Sequence, residues 1–236
     1  MPVYKTRSKK KIMLASVRRI SGNRRRIFAK RRKWDTVGNN IEQVELHLGF
    51  PIQKHVAELC KTKKPTVVEF GCAKGFSTAD VARQNTSARV YGFSAESYRM
   101  WDRLLNKDPL TNKPNPKLKF VHGEASDFGR YFRNNSVDLL YSKSGLLHVP
   151  DQIAYLKTLV PKLTVGGVLI TDLNLNAHDL SLLVGKTRPQ ELSKSTPYKI
   201  GGATHYKQEI TEVYTLPKYQ IKLLVDLRTI TITRLK

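Results

Sequence analysis

Acidic residues are missing from the first 34 positions, where fourteen lysines and arginines stand without a single Asp or Glu. Cysteine is scarce: Cys60 and Cys72 are the only two in 236 residues. Two are too few for a disulfide framework, and no Cys-x-x-Cys or Cys/His cluster offers the spacing of a zinc site. No run of apolar residues approaches the ~18–20 that a membrane-spanning helix requires. These absences argue against a disulfide-stapled secreted domain, a zinc module and a helical membrane protein. They predict no membrane partner, no metal, and a reducing, intracellular setting, with mitochondrion, nucleus and cytoplasm all left open.

What is abundant is positive charge. The chain holds 42 basic and 19 acidic residues, a net charge of +23. Fourteen of those positive charges belong to the head, and the remainder of the chain is only mildly basic. Such an asymmetry points to a polyanionic partner, with RNA or a ribonucleoprotein the expected one. The head clusters its charge at Lys9–Lys11, at Arg24, Arg25 and Arg26, and at Lys30, Arg31, Arg32 and Lys33, with Tyr4, Phe28 and Trp34 between and beside them. Lys and Arg on phosphates with rings for stacking describe an RNA-binding arm. An acid-free, Arg-rich segment also fits organelle targeting or a basic nuclear signal. A solvated tail that only aids solubility is the plainest reading. The chain is therefore expected to divide into a basic extension, 1–39, and a folded domain, 40–236.

From Asn40 the composition changes. Ile41, Val44 and Leu48, then Ile52, Val56 and Leu59, recur at helical spacing. Pro65 closes this region. Strand and helix patterns then alternate: strands at Thr66–Phe70, Arg89–Phe93, Lys119–His122, Val137–Ser142 and Gly167–Asp172, with helices at Ser77–Arg83, Ser97–Leu105 and Ile153–Leu163. Asn106–Lys117, with three prolines, reads as a loop, and so does Lys186–Lys207; either could reach a substrate. Gln220–Leu227 and Thr229–Leu235 alternate apolar and polar residues, as an antiparallel terminal pair would. The predicted fold is α/β: a doubly wound, mostly parallel, seven-stranded sheet with an antiparallel last strand and helices on both faces. Ligands of such sheets sit at the carboxyl ends of the strands.

The first of those ends reads Val67-Val68-Glu69-Phe70-Gly71-Cys72-Ala73-Lys74-Gly75-Phe76. Gly71 and Gly75 allow a tight turn and a close backbone approach. The helix that follows offers free N–H groups and its positive dipole end. A Gly-x-x-x-Gly turn alone would fit many α/β proteins.

Three further segments give it context. They are Gly123-Glu124-Ala125-Ser126-Asp127-Phe128, then Val137-Asp138-Leu139-Leu140 followed by Leu147-His148-Val149-Pro150-Asp151, then Leu163-Thr164-Val165-Gly166-Gly167-Val168-Leu169. With Glu69–Gly75 in front, these resemble, in order, four motifs of the class I (Rossmann-like) S-adenosylmethionine-dependent methyltransferases, in particular the "type 11" group. The resemblance covers about Thr66–Asp172. It implies that Gly71, Ala73 and Gly75 pack against the methionine part of S-adenosylmethionine and that Glu69 sits near its ammonium group. It also implies that Glu124 and Ala125 meet the adenine edge, and that Ser142 to Gly145 line the methyl-donor side.

Two positions depart from the family pattern. Ala73 replaces the middle glycine, which is tolerable at negative φ. Ser94 stands where the second strand usually ends in a ribose-binding acid, and Glu96 follows two residues later. His148 is a candidate general base, with a loop histidine as the alternative. Asp138 reads as structural, ending its strand and ordering the loop, Cys72 as a small buried residue, and Tyr141 as pocket wall or core. Three functions follow as expectations: a methyltransferase acting on RNA or a ribonucleoprotein-associated substrate, a non-catalytic methyltransferase-like scaffold that binds RNA, and a small-molecule methyltransferase.

Overall fold

The computed structural model describes residues 38–106, 110, 112–173, 177–200, 203–224 and 229–236. The basic head, including Arg24, Arg25, Arg26, Lys30, Arg31, Arg32 and Lys33, lies outside the described residues.

Two short helices come first, α1 (Ile41–Leu48) and α2 (Ile52–Thr62). Asn40 caps α1: its side chain accepts from Gln43 N while the Gln43 side chain accepts from Asn40 N. This reciprocal box satisfies two of the orphan N–H groups at a helix start. Gly49, at φ 61°, ends the helix in the left-handed conformation. Ile41, Val44 and Leu48 fall on one face and are buried, as the spacing predicts.

The strand–helix alternation follows: β1 (Thr66–Phe70), α3 (Phe76–Gln84), β2 (Arg89–Ser94), α4 (Arg99–Asn106), β3 (Leu118–His122), α5 (Phe128–Tyr131), β4 (Val137–Ser142), α6 (Gln152–Leu159), β5 (Leu163–Asp172) and α7 (Ala177–Val184). Four antiparallel strands complete the chain: β6 (Gln190–Ile200), β7 (Ala203–Thr215), β8 (Tyr219–Leu224) and β9 (Thr229–Arg234). The sheet order is β3-β2-β1-β4-β5-β9-β8-β7-β6. β1 to β5 are parallel, and β9 enters beside β5 in the reverse direction.

Both faces of the sheet are covered, and the pleat explains how. Val67, Leu139, Tyr141, Val168 and Ile170 belong to one buried cluster with residues of α1 to α4. Their neighbours Val68, Leu140 and Leu169 belong to another with residues of α5 to α7. Alternate residues point to opposite faces, so strands with two covered faces read as unbroken apolar runs.

The sheet has nine strands where seven were expected. The difference is the β6–β7 hairpin, which occupies most of the segment expected to be a loop. The terminal pair is where the sequence puts it, as β8 and β9. A further correction concerns α6, which ends at Leu159. Val160–Lys162 then forms a single 3-10 turn with Pro161 in it, and β5 begins at Leu163. Proline cannot donate to the helix ladder, so the helix stops before it.

Candidate functional site

The carboxyl ends of β1, β2 and β4 lie along one edge of the sheet. The chain leaves β1 at Phe70 and turns at Gly71, φ 77°. A Cβ on Gly71 would lie 2.6 Å from Gly145 Cα, and one on Gly145 would lie 2.5 Å from Phe70 O and 2.9 Å from Gly71 Cα. The loops after β1 and β4 therefore meet backbone to backbone, which only glycine on both sides permits. Gly71 N and Cys72 N donate to Phe93 O, so the same turn is also tied to β2.

Ala73 adopts φ 46°. Tolerance by way of a negative φ is therefore not what the protein uses. A residue with a Cβ in the left-handed region carries a strain of roughly 1 kcal/mol. A tether accompanies that strain: Trp101 Nε1 of α4 donates to Ala73 O at 2.8 Å. Trp101 in turn stacks on Phe120, centroids 4.9 Å apart and 7° from parallel. Phe120 also fills the space that a Cβ on Gly75 would need, 2.3 Å away.

Glu69 is 5% exposed at the end of β1. It accepts hydrogen bonds from the hydroxyls of Ser77 and Thr78, in the first turn of α3, and from Tyr141 Oη at 3.3 Å. These contacts order the loop that follows β1. Burial pushes the Glu69 carboxyl up to about 7, although the three hydroxyls favour the charged form. Tyr141 is fully buried on this network, so it packs and does not line a surface.

At the end of β2, Ser94 is 8% exposed and its Oγ accepts from Glu96 N at 3.3 Å. The serine in the acid's place thus holds the backbone of the acid two residues later. Glu96 is half-buried and accepts from Tyr98 Oη at 3.0 Å. Beyond β3, Glu124 is exposed and opens a 3-10 turn, Ala125–Asp127, in which Glu124 and Asp127 cap each other. Ala125 is half-buried, and its carbonyl accepts from Tyr155 Oη at 2.8 Å.

After β4, Ser142 is completely buried and its Oγ accepts from Leu146 N at 3.3 Å. It shapes its loop from inside. His148 is exposed at the end of the next 3-10 turn, Leu146–His148. Asp138 lies near the start of β4, not at its end. It accepts from Lys63 Nζ at 2.5 Å, Thr66 N at 2.7 Å and Thr164 Oγ1 at 2.9 Å, a fastening at the opposite edge of the sheet.

One constellation escaped the sequence reading. Asp172, 7% exposed at the end of β5, accepts from Ser144 N at 2.6 Å and from Ser144 Oγ at 3.0 Å. It also pairs with His47 Nε2 of α1 at 2.8 Å. Ser144 has φ 61°, so Asp172 stabilises a strained residue in the β4 loop and joins that loop to α1. The partners are 28 and 125 residues apart, and no local pattern signals such a contact. Among the described residues, no cluster of three His, Cys, Asp or Glu is placed to hold a metal ion, and no helix is long and apolar enough to cross a membrane.

Residues 68–171 match the family model described as a methyltransferase domain. The chain is similar to trans-aconitate 2-methyltransferase of Deinococcus radiodurans, 33% identical over 113 residues, which is 48% of this chain and 39% of that protein. It thus spans about two fifths of that relative's length. Among solved structures, it is similar to precorrin-6y C5,15-methyltransferase from Geobacter metallireducens, with 8% identity, a TM-score of 0.42, and coverage of 78% of this chain and 87% of the other. It is also similar to a chain in the complex of the Haloferax volcanii Trm112 methyltransferase activator and a methyltransferase. That match has 20% identity, a TM-score of 0.39, and coverage of 56% of this chain and 53% of the other.

The buried carboxyl gives a testable pH dependence. Because the folded-state pKa of Glu69 lies above the usual 4.5, the folded protein holds a proton that the unfolded chain releases first. This stabilising contribution is complete below pH 4.5 and is lost as the pH rises through 7, up to about 3 kcal/mol in all. Urea unfolding of Glu69→Gln, compared with the parent from pH 5 to pH 8, should show a shallower decline. Parallel curves for the two proteins would contradict this role for Glu69.

Proposed function

We propose that this chain, whose residues 68–171 match a methyltransferase-domain family model, is a class I Rossmann-like enzyme that transfers a methyl group from S-adenosylmethionine to RNA or to a ribonucleoprotein-associated substrate. The observation that carries this reading is the joining of a glycine-built loop at the sheet's carboxyl edge to a head bearing fourteen positive charges and no negative one. S-adenosylmethionine supplies the activated methyl group. The chain's own task is to bind, orient and exclude water, so no side chain need act covalently.

The residues present suit such a ligand. Gly71, Ala73 and Gly75 offer backbone at close quarters beside the start of α3, as a ligand with a carboxylate and an ammonium group requires. Glu69 keeps that loop in shape from below. Glu96 takes over the ribose hydroxyls from the acid that Ser94 replaces, since a carboxylate can accept from two hydroxyls at once. Glu124 and Ala125 stand for the adenine edge. Ser142 acts through the loop that it shapes, leaving Lys143 to Gly145 for the methyl-donor side. His148, exposed near that loop, is the candidate proton acceptor.

A small-molecule acceptor is the second reading, favoured by the similarity to trans-aconitate 2-methyltransferase. A non-catalytic scaffold is the third, motivated by Ser94, by Ala73 and by the basic head. The hydrogen bond from Glu96 N to Ser94 Oγ weakens the first of these grounds, because it holds an acid close to the usual place.

Isothermal titration with S-adenosylmethionine and S-adenosylhomocysteine separates the scaffold from the enzymes. Micromolar binding, about −8 kcal/mol, is expected for the parent. A loss of tenfold or more is expected for Glu96→Gln, with little change for Ser94→Ala. No binding of either ligand to folded protein would favour the scaffold. Deleting residues 1–34 should weaken binding to RNA and flatten its dependence on salt, because fewer phosphates are neutralised. Unchanged RNA affinity after that deletion would count against the RNA reading and leave the small-molecule one.

A further inference from the structure

The β6–β7 hairpin is longer than the sheet to which it is attached. Register fixes where it leaves that sheet. Asp172, at the end of β5, is paired with Thr229 of β9. Thr229 is paired with Leu224 of β8, Leu224 with Thr211 of β7, and Thr211 with Leu192 of β6. These residues form one row across the sheet, and the row begins at the acid that holds the β4 loop.

Direction can be followed along the same row. β9 is antiparallel to β5, and β8 is antiparallel to β9, so β8 runs the same way as β1 to β5. Its last residue, Leu224, therefore marks the carboxyl edge of the sheet, the edge of the candidate site. Among the described residues, β7 pairs with β8 over Thr211–Thr215. The pairs from Ser193↔Ile210 to Ile200↔Ala203 continue past that edge as a two-stranded ribbon. At ~3.4 Å per residue, eight such pairs extend about 25 Å. Among the described residues no other strand pairs with this part of the hairpin.

Its sequence is not that of a buried sheet. Residues 193–208 include Lys194, Lys199 and Lys207, together with Tyr198, His205 and Tyr206, and contain no Asp or Glu. Glu209 stands opposite Lys194, at the foot of the ribbon. Pro197 lies in β6, the outermost strand, where a missing N–H costs no ladder bond to a further strand. A bare two-stranded ribbon is marginal in water unless something packs on it or binds it. Lysines interspersed with ring residues are the composition that tracks a phosphate backbone while offering stacking faces.

We propose that the β6–β7 ribbon is a second RNA-contacting element, which holds the acceptor strand over the carboxyl edge of the sheet. It is separate from the basic head and deepens the RNA reading, on which it rests. The head supplies affinity, and the ribbon positions the bound strand beside the loops after β1 and β4.

The test uses the full chain and a fluorescein-labelled single-stranded RNA, followed by anisotropy over a series of potassium chloride concentrations. Two variants are compared with the parent. One carries Lys194→Gln, Lys199→Gln and Lys207→Gln. The other has residues 194–209 replaced by a two-residue turn between Ser193 and Ile210. Both should melt close to the parent, because the ribbon lies beyond the sheet's last row. The triple variant should bind at least tenfold more weakly, with the slope of log affinity against log salt flattened by about 2, as three lost phosphate contacts on a single strand imply. The shortened variant should lose at least as much. If both variants bind RNA with the affinity and slope of the parent, the ribbon proposal is overturned while the RNA reading stands on the head alone. If the parent itself does not bind RNA, both fall together.

Discussion

The candidate site depends on one close approach, that of Gly71 to Gly145. Here the turn after β1 and the loop after β4 touch through main chain alone, with a Cβ on either residue falling inside the other's backbone. Everything nearby is arranged around that contact. From β1's side, Glu69 draws in Ser77 and Thr78 and so fixes where α3 begins. From β4's side, Ser142 holds Leu146 N and Asp172 holds Ser144. Either loop moved outward by the width of a methyl group would strain the hydrogen bonds that hold it. Packed interiors have few voids into which such a displacement could relax.

Strain and its supports occur together at this edge. Ala73 and Ser144 both lie at positive φ without being glycine. Each is answered by a fixed partner: Trp101 on the Ala73 carbonyl, and Asp172 on the Ser144 amide and hydroxyl. Strained residues persist where their surroundings over-determine them, and such places are commonly sites of binding. Asp172 has the wider reach, since it also grips His47 and ties α1 to the same loop. Helix α1 is thus linked to the loops proposed to hold S-adenosylmethionine.

Much of this was legible in the sequence. The apolar runs of β1 and β4, the Glu69–Gly75 motif and the alternation through β5 located the parallel half of the sheet. The helical spacing of Ile41, Val44 and Leu48 located the buried face of α1. Other features left no local trace. The hairpin carries few apolar residues and a proline, because an edge ribbon buries little and needs no strict alternation. Its one local signal was Gly201-Gly202, a dipeptide that suits a two-residue hairpin turn and separates the partners Ile200 and Ala203. The Ala73 conformation and the Asp172–His47–Ser144 contact come from tertiary structure. In the same way, the inward turn of Glu69 follows from hydroxyls on the next helix, although the acid itself stands out in the motif.

The central claim is that the ends of β1, β2 and β4 make one binding edge for S-adenosylmethionine. Amide hydrogen exchange with and without S-adenosylhomocysteine tests it most directly, because it reads each loop separately and needs no known acceptor. The account predicts that residues 71–75, 94–96 and 143–145 gain protection together while the β6–β7 hairpin is unchanged. Protection confined to one of these loops, or absent from all three in a folded sample, would contradict it.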